Sequence, residues 1–345
     1  MQLPRSVVVG KEILANVGKT CRSLGCSGSA LVLAGPLTTQ VAAKVVVDSL
    51  GMDDFSVSQI AISQTSLDHL EQIQLRTREV KAELLVAVGG GRIIDAAKFI
   101  SSRDSIPYIS VPTAASHDGI SSPQASIKHL GKAYTVQAPA PMAIVADVGI
   151  ITQAPHRLTA SGCGDIISKF TAVRDWWLAH YLKNEYYGEY ASNLARMSAR
   201  TISRNAEIIR EGSEEGIRTV VEALISCGVA ISIAGTSRPC SGSEHLFSHA
   251  LDLLAPTPAL HGEQCGVGTI MMAYLHRMNW RKIKSVLKKV GAPTNARELG
   301  IDKDCLIDAL VQAHSIRPDR YTILGERGLT KDTAVKLART TGVID

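Results

Sequence analysis

The chain has 345 residues, of which 45% are hydrophobic and 20% charged, an ordinary composition for a globular protein with room for two domains. Its net charge of +5 comes from 37 basic and 32 acidic residues without a basic block, and only 4% of its residues are aromatic. This composition argues against nucleic-acid binding, which relies on clustered basic residues or on aromatic platforms for bases. The mild positive charge is typical of a soluble protein and also suits a site for an anionic metabolite.

The first part of the chain alternates short apolar strands with amphipathic helices. This pattern predicts a parallel sheet with helices on both faces. Helices are predicted at Thr38–Leu50 and Leu67–Val80. Residues 125–136 predict a hairpin that turns at Gly131 and Lys132, and residues 143–151 predict one more strand. The other predicted strands are Ser6–Val9, Ala30–Ala34, Phe55–Ile62, Leu84–Val88 and Tyr108–Val111.

A glycine run, Gly89–Gly91, lies between a predicted strand and the start of a predicted helix. Glycines let the backbone approach a pyrophosphate closely, and the N–H groups of a helix N-terminus face bound phosphates. The run departs from the dinucleotide fingerprint, which requires a glycine where Ile94 stands, and it follows the fourth strand instead of the first. Taken alone, the run is equally compatible with a plain tight turn and with a nucleotide loop.

A polar segment, residues 110–123, follows the fifth predicted strand. Thr113, Ser116 and Ser122 offer hydroxyls to a nucleotide, and Asp118 offers a carboxylate to a hydroxylated substrate. The alternative is a serine-rich loop whose side chains bond only to the local backbone.

From about Pro155 onward, long helical segments replace the strands. We therefore predict a nucleotide-binding α/β domain at residues 1–153 and a helical metal and substrate domain at residues 154–345. The predicted helices are Gly164–Ala179, Tyr186–Arg210, Glu214–Ile233, Gly242–Leu254, Gly266–Met278, Trp280–Val290 and Lys331–Thr340.

Four polar residues in the second half form a candidate metal site. His245 and His249 are four positions apart, so a helix places both on one face. Asp165 in SGCGD and His261 in HGEQCG complete the set. Any two of these imidazoles together with the carboxylate form a Zn²⁺ ligand set that leaves a fourth position open. That open position lets a metal hold a substrate oxygen.

The seven cysteines lie at irregular spacings without a CxxC pair, which predicts reduced thiols and no disulfide framework. Cys163 and Cys265 flank the candidate metal residues, and we interpret each as a small buried apolar residue. The first twelve residues contain no apolar signal core, and the apolar run at 223–237 is too short to span a bilayer. We therefore expect a cytoplasmic protein without membrane insertion.

Five segments, GGGRIIDAAK, PTAASHDG, SGCGD, SGSEHLFSHALD and HGEQCGVG, occur in this order over nearly the whole chain. They resemble the polyol branch of the iron-containing alcohol dehydrogenase superfamily. Within it, SGSEHLFSHALD makes the chain most similar to the archaeal sn-glycerol-1-phosphate dehydrogenases. The resemblance implies a Rossmann-like parallel-sheet domain followed by an all-helical metal-binding domain, an α/β architecture shared with 3-dehydroquinate synthase. It also implies a homo-oligomer.

The activity implied by the resemblance is the NAD(P)H-dependent reduction of dihydroxyacetone phosphate to sn-glycerol 1-phosphate, the backbone of archaeal membrane phospholipids. It implies one Zn²⁺ per subunit on Asp165, His245 and His261, although the same ligands accept Fe²⁺, Ni²⁺ or Mn²⁺. The implied catalytic residues at the substrate are Asp118, His249 and Asp165. The implied cofactor-binding residues are Gly91, Arg92, Ile93, Ile94, Asp95, Thr113, Ala114, Ala115, Ser116 and Ser122.

Several alternatives stay open at this point. A dehydrogenase for an unphosphorylated polyol such as glycerol is one, and a 3-dehydroquinate synthase-like lyase, which regenerates NAD within each turnover, is another. A non-enzymatic module that only binds a metal or a nucleotide is a third alternative, but it would give the Asp and His residues no catalytic role. Lys169, one helical turn after Asp165, is either a ligand for the substrate phosphate or a solvated helix lysine.

Overall fold

The computed structural model describes residues 1–129 and 132–345, and the chain divides into two compact units. One unit comprises residues 1–115 and 119–155, and the other comprises residues 116–118 and 156–345. The short segment 116–118 therefore belongs with the second half of the chain. The predicted domain boundary after residue 153 stays a prediction.

The first unit contains a six-stranded parallel sheet and a separate antiparallel pair. In chain order the strands are β1 (Ser6–Gly10), β2 (Ser29–Ala34), β3 (Ser56–Ala61), β4 (Leu84–Gly89), β5 (Tyr108–Pro112), β6 (Gln124–His129), β7 (Lys132–Gln137) and β8 (Ala143–Asp147). The order across the parallel sheet is β1-β8-β5-β4-β2-β3. β4, β5 and β8 are buried along their whole length, which explains why their sequences are continuous apolar runs and not alternating ones. The predicted parallel sheet is confirmed.

β6 and β7 pair antiparallel, so the predicted hairpin strands are confirmed. Of the two residues predicted to form the turn, Lys132 begins β7, and Gly131 lies outside the described residues.

The helices of the first unit connect the strands. They are α1 (Val17–Ser23), α2 (Pro36–Thr38), α3 (Lys44–Met52), α4 (Leu67–Glu79), α5 (Gly91–Asp104) and α6 (Val148–Thr152). The predicted helix Thr38–Leu50 is interrupted by a π-helical segment at Thr39–Ala43. The single strand predicted over residues 143–151 is wrong in its second half. Asp147 ends β8, and its side chain accepts a hydrogen bond from the Ile150 N–H (3.3 Å), which caps α6.

The second unit is helical throughout its described elements. They are α7 (His156–Ile167), α8 (Lys169–Lys183), α9 (Glu189–Arg204), α10 (Ala206–Arg210), α11 (Glu214–Ala234), α12 (Ser243–Leu254), α13 (His261–Leu275), α14 (Trp280–Val290), α15 (Ala296–Leu299), α16 (Lys303–Gln312) and α17 (Lys331–Thr340). This confirms the predicted helical second half.

Three helix boundaries differ from the prediction for local reasons. The predicted helix Gly164–Ala179 is two helices that meet at Ser168, whose hydroxyl bonds the Asp165 carbonyl (2.5 Å). The predicted helix Tyr186–Arg210 is also two helices, α9 and α10, which meet at Asn205. The side-chain amide of Asn205 donates to the Thr201 carbonyl (2.9 Å). α13 begins five residues before the predicted Gly266, because the Glu263 carboxylate accepts from the Leu260 N–H (3.0 Å) and caps the helix at His261.

Among the described residues, one helix is long and apolar enough to cross a membrane, α11. Most of its apolar window, 61%, is buried inside the protein, and the helix packs against α9. This burial agrees with the predicted core helix.

Candidate active site

The candidate metal residues come from three helices of the second unit. Asp165 lies on α7, His245 and His249 lie on α12, and His261 begins α13. α7 and α13 cross with their backbones in contact, because a Cβ atom on Gly164 would lie only 2.2 Å from the Gly262 carbonyl oxygen. Only glycines permit so close an approach. This crossing brings the neighbouring Asp165 and His261 to one place.

The predicted metal ligands converge. Nε2 of His245 lies 3.5 Å from Oδ1 of Asp165. The ring of His261 has its centroid 5.0 Å from that of His245 and 5.9 Å from that of His249. On its other side, Nδ1 of His245 bonds Oε1 of buried Glu244 (2.9 Å). A carboxylate behind a histidine orients the ring and makes its other nitrogen a better metal ligand. The sequence reasoning missed Glu244, which lies next to His245 in the chain.

Cys265 is a further candidate ligand that the sequence reasoning missed. It is buried as predicted, but its Sγ lies 3.6 Å from Nε2 of His261. His245, His261 and Cys265 each offer one donor atom, and these atoms lie within 4.8 Å of one another. The spacing of four between His261 and Cys265 on a helix is the signal that identifies this pair.

The chemistry of these donors fits a divalent metal such as zinc. Nitrogen, oxygen and sulfur donors are its usual ligands, and the histidines must be neutral to bind it. Burial, followed by the positive charge of His245, lowers the pKa of His261 to about 3 and keeps its ring neutral. A metal that binds His245 must displace the proton of that ring. Burial opposes ionisation of Asp165, but the charge of Lys169 and contacts with His245 hold the pKa of this carboxyl well below its ordinary value.

Lys169 lies inside this cluster and is fully buried. Its Nζ is 2.6 Å from Oδ1 of Asp165 and 3.0 Å from Oδ2 of Asp118. The backbone N–H of Asp118 also donates to Oδ2 of Asp165 (2.8 Å), so the predicted substrate residue Asp118 lies beside the metal residues. The interpretation of Lys169 as a solvated helix lysine is wrong. Its two carboxylate partners also argue against the alternative role as a phosphate ligand.

His249 lies at the same cluster with about a quarter of its side chain exposed (23%). Its Nδ1 is 3.7 Å from Oδ2 of Asp252. Burial lowers the pKa of His249, and the positive charges of His245 and Arg317 lower it further against the opposing effect of Asp252. A neutral, partly exposed imidazole is suited to accept a proton or to relay one between solvent and a bound ligand.

The predicted cofactor residues of the first unit lie at the carboxyl ends of β4 and β5. The Thr113 N–H bonds the Gly89 carbonyl (3.1 Å), and the Thr38 hydroxyl bonds the Val88 carbonyl (2.9 Å). Gly90 precedes the first residue of α5, and a Cβ atom there would meet nothing within 4 Å. The open backbone in front of a helix N-terminus fits a pyrophosphate.

The remaining predicted cofactor residues differ in exposure. Ile93, Ile94 and Asp95 are buried on α5, Arg92 is exposed, and Ala114 and Ala115 are buried after β5. Ser116 belongs to the second unit, where its carbonyl accepts from the Ser161 hydroxyl (3.2 Å). Ser122 is buried, with its Oγ 3.5 Å from Nζ of Lys98. The isoleucine side chains are therefore not available to a ligand, and the N–H groups of Ile93 and Ile94 already donate to the Gly90 carbonyl (3.0 and 3.3 Å).

Comparison with known proteins shows the family. A model of the iron-containing alcohol dehydrogenases matches residues 8–155. A protein of Pyrococcus furiosus named glycerol-1-phosphate dehydrogenase [NAD(P)+] is 53% identical over 100% of this chain and 99% of its own length. A Methanosarcina acetivorans protein of the same name is 55% identical over 100% and 96%.

Solved structures show the same fold at low identity. Glycerol dehydrogenase from Schizosaccharomyces pombe has a TM-score of 0.82 at 22% identity, covering 99% of this chain and 90% of that one. Maleylacetate reductase from Agrobacterium tumefaciens has a TM-score of 0.79 at 19% identity, covering 99% and 97%. The full-length relatives place the chain among the oxidoreductases. The chain belongs to the glycerol-1-phosphate dehydrogenase family, within the iron-containing alcohol dehydrogenase superfamily.

Proposed function

We propose that the protein reduces dihydroxyacetone phosphate to sn-glycerol 1-phosphate with NADH or NADPH. The observation that carries the proposal is the convergence of Asp165, His245 and His261 on one buried cluster in a chain whose full-length relatives bear the name of this activity. Asp118 and His249, the predicted substrate residues, lie at the same cluster. The cluster best suits a hydroxyketone. Its carbonyl oxygen and neighbouring hydroxyl would contact the metal residues and the two predicted substrate residues.

The residues divide the reduction between them. When bound, a divalent metal supplies Lewis acidity at the donors and the reduced nicotinamide supplies a hydride. Asp165, His245 and His261 provide the metal ligands. Asp118 accepts a hydrogen bond from the substrate hydroxyl and so orients the ketone. His249, partly exposed, relays a proton from solvent to the C2 oxygen once the hydride has arrived at C2: one ring nitrogen takes up a proton as the other gives one, so the imidazole ends neutral.

The cofactor is held in this proposal by residues 91–95, by residues 113–116 and by Ser122. The N–H groups at the start of α5 face the pyrophosphate beside open Gly90. Zinc is the metal we favour, because a thiolate donor joins the nitrogen and oxygen donors. We further propose that the enzyme works in the cytoplasm as a homo-oligomer and supplies the glycerol backbone of membrane phospholipids.

Both nicotinamide cofactors are expected to support turnover. In many dinucleotide enzymes, a carboxylate after the second strand accepts from the adenosine ribose hydroxyls and repels a 2′-phosphate. Here β2 is followed by Gly35 and Pro36. Values of kcat/KM for NADH and NADPH, measured at saturating dihydroxyacetone phosphate, should lie within about tenfold of each other. A preference for NADH of about a hundredfold or more would contradict the expectation.

Cys265 is expected to be a fourth metal ligand in the substrate-free enzyme. With Co²⁺ bound in place of the native metal, a thiolate ligand gives a sulfur-to-metal charge-transfer band in the near-ultraviolet spectrum. Cys265→Ser should remove this band and weaken metal binding about tenfold or more. Cys163→Ser, on buried Cys163 of α7, is the matched control and should keep the band. An unchanged spectrum in Cys265→Ser would show that the thiol only packs beside the metal.

The proposed activity is tested by following the oxidation of NADPH with dihydroxyacetone phosphate or dihydroxyacetone and by determining which glycerol phosphate enantiomer forms. We expect the phosphorylated substrate to be strongly preferred and the product to be sn-glycerol 1-phosphate. Preference for dihydroxyacetone would instead indicate a polyol dehydrogenase. Turnover of a substrate without net oxidation of the cofactor would indicate a lyase.

A further inference from the structure

We propose that Gln264 is a positioning residue that holds two histidines of the cluster, His249 and His261, through contacts on the Nδ1 side of each ring. This inference rests on the proposed function, because it explains how the substrate histidine and a metal histidine named there are kept in place. Gln264 lies on α13, three residues after His261, and is fully buried.

The amide nitrogen of Gln264 faces three oxygens of α12. Its Nε2 lies 2.9 Å from the Ser248 hydroxyl, 3.1 Å from the Ser248 carbonyl oxygen and 3.0 Å from Oδ1 of Asp252. A primary amide has two N–H donors, so one serves the two oxygens of Ser248 and the other serves Asp252. An amide turned the other way would set its own oxygen against these three oxygens. The contacts therefore fix the orientation of the amide.

The contact with Ser248 leads to His261. The buried Ser248 hydroxyl lies 3.3 Å from Nδ1 of His261. A hydroxyl oxygen accepts two hydrogen bonds, so it can take the Gln264 N–H together with an Nδ1–H of His261. With its proton on Nδ1, His261 has the lone pair of Nε2 free for a metal. Nε2 is also the ring nitrogen nearer to the Cys265 thiol, at 3.6 Å against 3.9 Å for Nδ1.

The contact with Asp252 leads to His249. Oδ1 of Asp252 receives the Gln264 N–H, and Oδ2 lies 3.7 Å from Nδ1 of His249. This distance is longer than a hydrogen bond but within the range of an ion pair, so the carboxylate attracts the Nδ1 edge of the ring. Nε2, on the far edge of the same ring, is left for the substrate. The carboxylate also stabilises the ring while it holds both protons during the relay.

His245 shows the same arrangement with a different support. Its Nδ1 bonds Oε1 of Glu244 (2.9 Å), and its Nε2 lies 3.5 Å from Oδ1 of Asp165. The three histidines of α12 and α13 thus each have a side-chain oxygen at Nδ1. Glu244 supports one ring. Gln264 supports two, and so ties a metal histidine to the substrate histidine.

The test uses Gln264→Met, which keeps the length of the side chain and removes the amide. We expect the affinity for Co²⁺, measured by competition with a chelator, to fall about tenfold or more, because His261 loses its support. With the metal saturating, kcat for dihydroxyacetone phosphate should also fall about tenfold or more, because the relay through His249 acts in the chemical step. KM should stay nearly unchanged. A side chain that only packs α12 against α13 would lower the unfolding temperature without either effect.

Two milder variants separate the two contacts and keep the proposal testable if Gln264→Met does not fold. Ser248→Ala should weaken Co²⁺ binding about tenfold, because it removes the oxygen at Nδ1 of His261. Asp252→Asn should lower kcat about tenfold, and its loss of Co²⁺ affinity should be smaller than that of Ser248→Ala. The reverse pattern, or no change in either variant, would contradict the proposal.

Gln74→Met is the matched control. Gln74 is a buried glutamine on α4 of the first unit, and its amide also donates to a carboxylate, Oδ1 of Asp104 (2.5 Å). This variant should keep both the Co²⁺ affinity and kcat. Unchanged Co²⁺ affinity and unchanged kcat in folded Gln264→Met would overturn the inference. A wild-type enzyme that does not reduce dihydroxyacetone phosphate would instead contradict the proposed function, and Co²⁺ binding would still test the contact with His261.

Discussion

His261→Ala should yield a folded protein that has lost its metal and about a thousandfold or more of its activity. His261 is the first residue of α13 and faces both His245 and the Cys265 thiol, so its removal deletes a central donor. The fold should persist, because the cap of α13 is made by Glu263 and the Leu260 N–H and not by the imidazole. Metal content by atomic spectroscopy, activity, and far-ultraviolet circular dichroism check the three parts of this expectation.

His180→Ala provides the comparison for a histidine outside the cluster. His180 is exposed near the end of α8 and bonds the Glu185 carbonyl (2.7 Å). This variant should bind one metal per subunit and keep its activity. Full activity in metal-free His261→Ala would show that the cluster does not carry the reaction.

The sequence predicted the metal residues because their signals are local. His245 and His249 are four apart on one helix, and Asp165 and His261 each stand in a short motif. The contacts that surround them are not local. Lys169 and Asp165 lie one turn apart on the broken helix pair α7 and α8, but their pairing with Asp118 joins segments 47 residues or more apart in the chain. No spacing in the sequence reports such a contact.

The fold, like the site, has some features that the sequence predicts and others that it does not. Buried parallel strands such as β4 appear in the sequence as apolar runs, so the sheet was predictable. The ends of helices depend on single hydrogen bonds. Asp147 stops a strand and starts α6, and Glu263 moves the beginning of α13 back to His261. These bonds were invisible to an argument from hydrophobic periodicity, which is why the ends and breaks of several elements were predicted wrongly.

Lys169→Met should destabilise the metal-free protein far more than the metal-loaded protein. The fully buried ammonium lies 2.6 Å from Oδ1 of buried Asp165 and 3.0 Å from Oδ2 of partly buried Asp118, and its removal takes this positive charge away from both carboxylates. Breaking such a buried pair costs roughly 3–5 kcal/mol of the free energy of unfolding. A metal on Asp165 restores positive charge at that carboxylate, so the loss should be smaller in the loaded enzyme. Chemical unfolding with and without a chelator measures both values.

Lys183→Met, at the other end of the same helix, separates this effect from the loss of any lysine. Lys183 and its partner Glu326 are both exposed, so this variant should change the free energy of unfolding little in either state. The activity of Lys169→Met should fall by similar factors for dihydroxyacetone phosphate and dihydroxyacetone, because the lysine neutralises carboxylates that serve both substrates. A loss confined to the phosphorylated substrate would instead place the phosphate at Lys169. That result would contradict the charge-balancing role of this lysine.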